Sequence, residues 1–154
     1  MATALKDLYG SDLPTFDQLI LPDDYRPADG EDFMCANQRA YFLAKLRAWK
    51  EAIVDESRAT MAQLQVDSLR EPDMADRASS ETDWGIELRT RDRQRKLVSK
   101  IDAALRRIEN GEYGYCEMSG EPISLKRLDA RPIATMTLEA QERHERQERV
   151  SRDD

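Results

Sequence analysis

Apolar side chains recur at three- and four-residue steps through the middle of the chain. Phe42, Leu46, Trp49, Ile53 and Leu64, with Thr60 on the same stripe, are separated by Lys45, Arg47, Lys50, Glu51, Asp55 and Glu56. That period predicts one long amphipathic helix, and no glycine or proline interrupts it between Phe33 and Pro72. The stretch Arg70-Glu71-Pro72-Asp73-Met74-Ala75-Asp76-Arg77 breaks the pattern, because proline lacks a backbone donor and disfavours helix in the residue before it. A second periodic run continues to about Glu109, with Leu97, Ile101, Ala104 and Ile108 on one stripe and Leu105 widening it. Asn110-Gly111 ends this run in the manner of a left-handed C-terminal cap. Two such helices joined by a tight turn bury their stripes against each other, which predicts an antiparallel coiled-coil hairpin over residues 33–110 with its tip near 71–78. At 1.5 Å rise per residue, about 35 residues make an arm of roughly 50 Å.

The flanks read differently. Residues 1–32 carry Gly10, Pro14, Pro22, Pro27 and Gly30 among many acids, so regular structure there is short. Thr15 and Gln18 have capping-box spacing for a brief helix over Thr15 to Ile20, and the segment is expected to pack on a globular end. Residues 111–136 contain Gly114, Gly120, Pro122 and Pro132 spaced as turns and form that compact end. Thr137 suits the N-cap of a charged C-terminal helix over 137–154, whose last residues, from Arg149, are expected to fray. The fold class is therefore all-α, a long hairpin with a small globular end and a C-terminal helix.

Composition narrows the function. The chain has 154 residues, 36% of them charged and 6% aromatic, with too little apolar material for a thick multilayer core. A formal net charge of −7 argues against a surface that grips nucleic acid throughout, although a local basic stripe remains open. No run of about 18 apolar residues exists to span a bilayer, and the N-terminus lacks the basic-then-apolar pattern of a secretory signal, so a cytoplasmic protein with no membrane role is expected. Cys35 and Cys116 are then expected as reduced thiols.

The segment Gly114-Tyr115-Cys116-Glu117-Met118-Ser119-Gly120-Glu121, with Arg127-Leu128-Asp129-Ala130-Arg131-Pro132 after it, resembles the globular end of the DksA/TraR family. That family's pattern is GYC-x-x-CG, then RLEARP, then a second C-x-x-C. The likeness extends back through Glu87-Leu88-Arg89-Thr90-Arg91-Asp92-Arg93 and Asp76-Arg77-Ala78, covering roughly residues 30 to 145 in consistent order. Family members of the usual kind bind a structural zinc with four cysteines. Here those places fall on Cys116, Ser119, Thr137 and Ala140, and alanine offers a metal no donor. The lone His144 and the distant Cys35 do not complete a site, so a degenerate, zinc-independent zinc-finger-like end is expected, with no stably bound cofactor. Apolar packing by Met118, Ile123, Leu125, Leu128, Ile133, Met136 and Leu138 is the expected replacement, each side chain worth about 1.5 to 3 kcal/mol when fully buried. Cys116 itself then reads as a small buried hydrophobe.

The resemblance implies a non-enzymatic regulator, monomeric, that docks on RNA polymerase, reaches through its secondary channel and acts with guanosine tetraphosphate in the stringent response. It implies inhibition of ribosomal RNA promoters and support of amino-acid biosynthesis promoters, without sequence-specific DNA binding. By the same resemblance Asp73, Asp76 and Ala78 are the coiled-coil tip, Arg89 and Arg93 the polymerase-docking positions, and Leu97, Lys100 and Arg131 the nucleotide positions, with a further basic position of the family replaced by Gln141. Each has a plainer reading. Aspartates are common turn formers and caps, a basic helix run is often a solvated face, and the plainer reading of Arg131 is a brace of the globular end against the coil. Two rival functions are a Gre-type transcript-cleavage factor, which also presents acids on a coiled-coil tip to hold a second metal ion, and a helical adaptor with no polymerase role.

Overall fold

The computed structural model describes residues 19–68 and 74–152, with side chains described over 19–66 and 81–151. Among the described residues four helices follow one another: α1 (Ala36–Ser68), α2 (Met74–Asn110), α3 (Leu125–Ala130) and α4 (Leu138–Arg152). Among the described residues the only β feature is an isolated antiparallel bridge between Tyr115 and Pro122. No helix there is long and apolar enough to cross a membrane. The chain divides into two compact units: a lobe, made of residues up to Leu46 and from Ala104 on, and an arm, Arg47–Ala103.

In the arm, α1 and α2 run antiparallel. Lys50 pairs with Asp102, Ser57 with Gln94 and Met61 with Arg91, so position numbers rise on one helix as they fall on the other. The stripe read from the sequence is the one that turns inward. Ile53 and Ile101 are buried, and Trp49, Leu64 and Leu97 are half-buried. Towards the turn the seam becomes polar: Ser57 Oγ donates to Gln94 Oε1 at 2.8 Å, and Gln94 Nε2 donates to Glu56. Met61, Val66, Trp84, Ile86 and Leu88 are all exposed there.

The lobe has its own apolar centre. Phe42, Leu46, Ile108, Tyr113, Ile123 and Leu128 are essentially inaccessible to solvent. Phe42 bridges Tyr41 and Tyr113, with ring centroids 5.3 and 5.5 Å away, because aromatic pairs favour tilted and edge contacts. The Tyr113 hydroxyl, deep in this core, donates to the Pro132 carbonyl at 2.7 Å, and burial pushes its pKa up. The α2 terminus closes as a Schellman cap: Gly111 takes φ 75°, its N–H reaches the Ile108 carbonyl, and the Glu112 N–H reaches that of Arg107. Ser124 caps α3, accepting from the Arg127 N–H.

Three sequence expectations need correction. The first long helix begins at Ala36 rather than near Phe33, because Met34 adopts φ 55° and the Cys35 N–H turns back to the Asp32 carbonyl. Of the brief helix expected over Thr15 to Ile20, residues 15–18 lie outside the described residues, and Leu19 and Ile20 are not helical. Met118 and Leu138 do not join the core. They are 65% and 58% exposed, since Met118 sits on the outer turn of the lobe and Leu138 on the outward side of the first turn of α4.

Candidate functional site

The four degenerate metal positions come together in the lobe. The Cys116 N–H and the Gly120 N–H close a tight turn, the first onto the Glu121 carbonyl and the second onto the Cys116 carbonyl. Gly120 supplies the positive φ, 70°, that this turn needs. Thr137 is the N-cap of α4. Its Oγ1 accepts from the Ala140 N–H at 3.3 Å and stands 4.0 Å from Cys116 Sγ. Ala140, the fourth of these positions, is buried. Cys116 is 3% exposed. Burial by itself raises a thiol pKa, but hydrogen bonds from the Ser119 side chain and from the Thr137, Ser119 and Met118 backbone outweigh it and bring Cys116 down to about 7. One sulfur, two hydroxyls and a methyl do not fit zinc, which needs four thiolate or imidazole donors in a structural site. Among the described residues no group of three or more His, Cys, Asp or Glu side chains is placed to hold a metal ion.

Around this turn the Arg127–Pro132 motif acts as a clamp, a role the sequence reading did not assign. Asp129 accepts from Lys45 Nζ at 2.5 Å and from the Tyr41 hydroxyl at 2.8 Å, and Lys45 also reaches the Asp129 carbonyl at 2.7 Å. The Lys45 hydrogen bond first, then that of Tyr41, holds the Asp129 carboxyl below its usual pKa. Arg127 Nε donates to the Met136 carbonyl at 2.9 Å, and its guanidinium donates to Gln141 Oε1 at 2.5 Å. Gln141 in turn donates to Glu145, so Gln141 links Arg127 to the α4 surface. The motif's unusual density of charge in a turn-rich segment was the available signal, but its partners lie up to 88 positions away in sequence.

Arg131 is different. Its backbone N–H caps α3 at the Arg127 carbonyl, while its side chain is exposed and has no partner among the described residues. The bracing that stood as the plainer reading of Arg131 falls instead to Asp129 and Arg127. In the arm, Arg89 and Lys100 are exposed without an ion pair among the described residues, Arg93 reaches only Thr90 on its own helix, and Leu97 is half-buried. Neighbouring cations are partly neutralised, Arg91 by Glu87 and Arg95 by Asp92. Asp73 lies outside the described residues, as do the side chains of Asp76 and Ala78, whose backbone belongs to α2.

Comparison with known proteins gives matches along most of the chain. Residues 38–108 match the model of the DnaK suppressor protein DksA, N-terminal domain, and residues 111–146 that of the prokaryotic dksA/traR C4-type zinc finger. The chain is similar to the RNA polymerase-binding transcription factor DksA of Caulobacter vibrioides strain NA1000, at 64% identity over 136 residues, 88% of this chain and 96% of that protein. The protein of the same name from Escherichia coli K12 is 38% identical over 117 residues, 76% of this chain and 78% of that one. Among solved structures, transcription factor DksA2 from Pseudomonas aeruginosa aligns with TM-score 0.71 and 39% identity, over 76% of this chain and 90% of that one.

Proposed function

The chain belongs to the DksA family, and from that membership we propose that it is a cytoplasmic, monomeric RNA polymerase-binding transcription factor that works through the secondary channel. It is not an enzyme. Asp73, Asp76 and Ala78 act at the arm's turn, where carboxylates on a stiff support perturb polar and cationic groups of the larger enzyme. Arg89 and Arg93 dock on the polymerase. Leu97, Lys100 and Arg131 face guanosine tetraphosphate, Lys100 giving a point charge and Arg131 a forked contact to phosphate oxygens. Through these contacts the factor shortens open-complex lifetimes, inhibiting ribosomal RNA promoters and favouring those of amino-acid biosynthesis during starvation. It needs no zinc, no stably bound cofactor and no sequence-specific DNA contact.

The observation that supports this reading is that the proposed contact cations Arg89, Lys100 and Arg131 stay exposed and without a partner among the described residues, available to an outside partner. Initiation from a ribosomal RNA promoter by purified polymerase tests it. The protein is expected to inhibit, more strongly with guanosine tetraphosphate. Asp76→Asn is expected to abolish inhibition while polymerase binding is retained, and an inhibition curve identical to the parent's would remove the tip from the mechanism.

A further inference from the structure

Residues 22–35 form a strap across the lobe: Tyr25 meets Tyr41 edge-on at 6.0 Å, Arg26 lies 6.0 Å from the Tyr41 ring centroid, and two further contacts hold the part nearer the turn. The polar one is Gln38, the single buried polar or charged side chain among the described residues. Its Oε1 accepts from the Met34 N–H at 2.9 Å, and its Nε2 donates to the Ala28 carbonyl and to Glu31, both at 3.2 Å. Glu31 also accepts from the Tyr25 hydroxyl at 2.6 Å. The apolar one is Phe33-Met34. Phe33 meets Tyr115 edge-on at 5.4 Å, and Met34 is buried against Gly114. A Cβ on Gly114 would stand 3.0 Å from Met34 Cε and 3.1 Å from Cγ, so the thioether chain lies on the glycine backbone. Met34 does this from φ 55°, a conformation disfavoured for its side chain that persists only where the surroundings over-determine it. Strap and turn are thus a lock and its seat: Gly114 and Tyr115 immediately precede Cys116, and Gly114 accepts from the Ile123 N–H while Cys116 donates to Glu121.

We propose that this strap is a latch, with Met34 as its bolt and Gln38 as its catch, which holds the Gly114–Cys116 turn shut, so that the turn opens only when the strap lifts. The proposal rests on the metal-free reading of the lobe, in which no ion holds the turn. Its consequence is a conformational switch at the N-terminal side of the lobe: whatever displaces or cleaves the strap exposes the turn while the arm keeps its helices.

The full chain with Cys35→Ser, in which Cys116 is the sole thiol, gives the test. Maleimide labelling of Cys116 is expected to accelerate by about tenfold or more in Met34→Ala and in Gln38→Ala, with helical circular dichroism retained, and to stay at the parent rate in Ile20→Ala, at an exposed position. Parent rates in both latch variants overturn the proposal. Should either variant fail to fold, amide exchange in the unsubstituted strap decides. The Met34 and Cys116 amides are expected to exchange with a common opening constant, and a Cys116 amide that stays protected while Met34 exchanges freely overturns it. Elemental analysis of the same sample separates the two failures, because one equivalent of metal removes the premise whereas a metal-free lobe with unlinked openings removes only the latch.

Discussion

Asp129 carries two donors on one carboxylate, and its contribution to stability has a definite pH signature. Its folded pKa is lowered by Lys45 and then Tyr41, so the stabilisation is present above the unfolded aspartate value of about 3.9 and is lost as pH falls through the lower folded value. The pair is partly exposed, 36% for Lys45 and 45% for Asp129, which limits the effect to about 1 kcal/mol. Asp129→Asn is therefore expected to lower stability by about that amount near pH 7, with the gap from the parent closing below about pH 4. Denaturant titrations at pH 7 and pH 3 measure it, and a gap independent of pH would assign the loss to packing. Cys116 offers a second titration. With Cys35→Ser as background, thiolate absorbance is expected to rise with a midpoint at about 7, and Ser119→Ala to move the midpoint upward by removing a donor to the sulfur. A midpoint near the ordinary thiol value of about 8.5 in the background protein would show that the hydrogen bonds do not reach the sulfur.

Helices were legible where the signal is local. The stripes of Ile53 and of Ile101, Ala104 and Ile108, and the Asn110-Gly111 stop, are each written within a few residues, and the backbone follows them. What sequence reading missed depends on partners far apart in the chain: the Lys45 and Tyr41 contacts to Asp129, and Gln38 as the catch for residues 28–34. The start of α1 was placed three residues early because nothing in an Asp-Phe-Met-Cys run announces a left-handed methionine. Within the arm, the Ser57–Gln94 pair belongs to the polar stretch of the seam nearer the turn and contributes little net free energy compared with packed hydrocarbon. Replacing both by leucine is expected to stabilise the arm, raising its thermal midpoint by several degrees for a gain of about 1 kcal/mol. Ser57→Leu alone takes the donor from Gln94 Oε1 while Gln94 Nε2 keeps Glu56, and is expected to gain less, so a double-mutant cycle with no coupling would count against this account of the seam.

For the whole molecule, the decisive contrast lies between a chain that matches a four-cysteine zinc-finger model over residues 111–146 and a lobe that keeps one of the four sulfurs. In small zinc domains the metal supplies about 10 to 16 kcal/mol of apparent binding free energy, so chelation unfolds them. Here the four corresponding positions hold a hydrogen-bonded thiol, a serine hydroxyl, a helix cap and a buried methyl. The surrounding Tyr113, Ile123, Leu125 and Leu128 provide apolar burial that no chelator can remove. On the metal-free reading proposed above, the protein is expected to keep its melting temperature within about one degree in excess chelator, since no binding equilibrium would then be linked to folding. Inhibition of the ribosomal RNA promoter is expected to survive both chelator and mild peroxide, since the lobe has no C-x-x-C pair to oxidise. A four-cysteine relative treated alongside should lose activity under both. Loss of the present protein's inhibition under chelator alone would mean that its lobe recruits a metal through some other donor set. Loss under peroxide alone would point to Cys116 or Cys35, and repeating the assay with Cys35→Ser would tell which thiol is responsible.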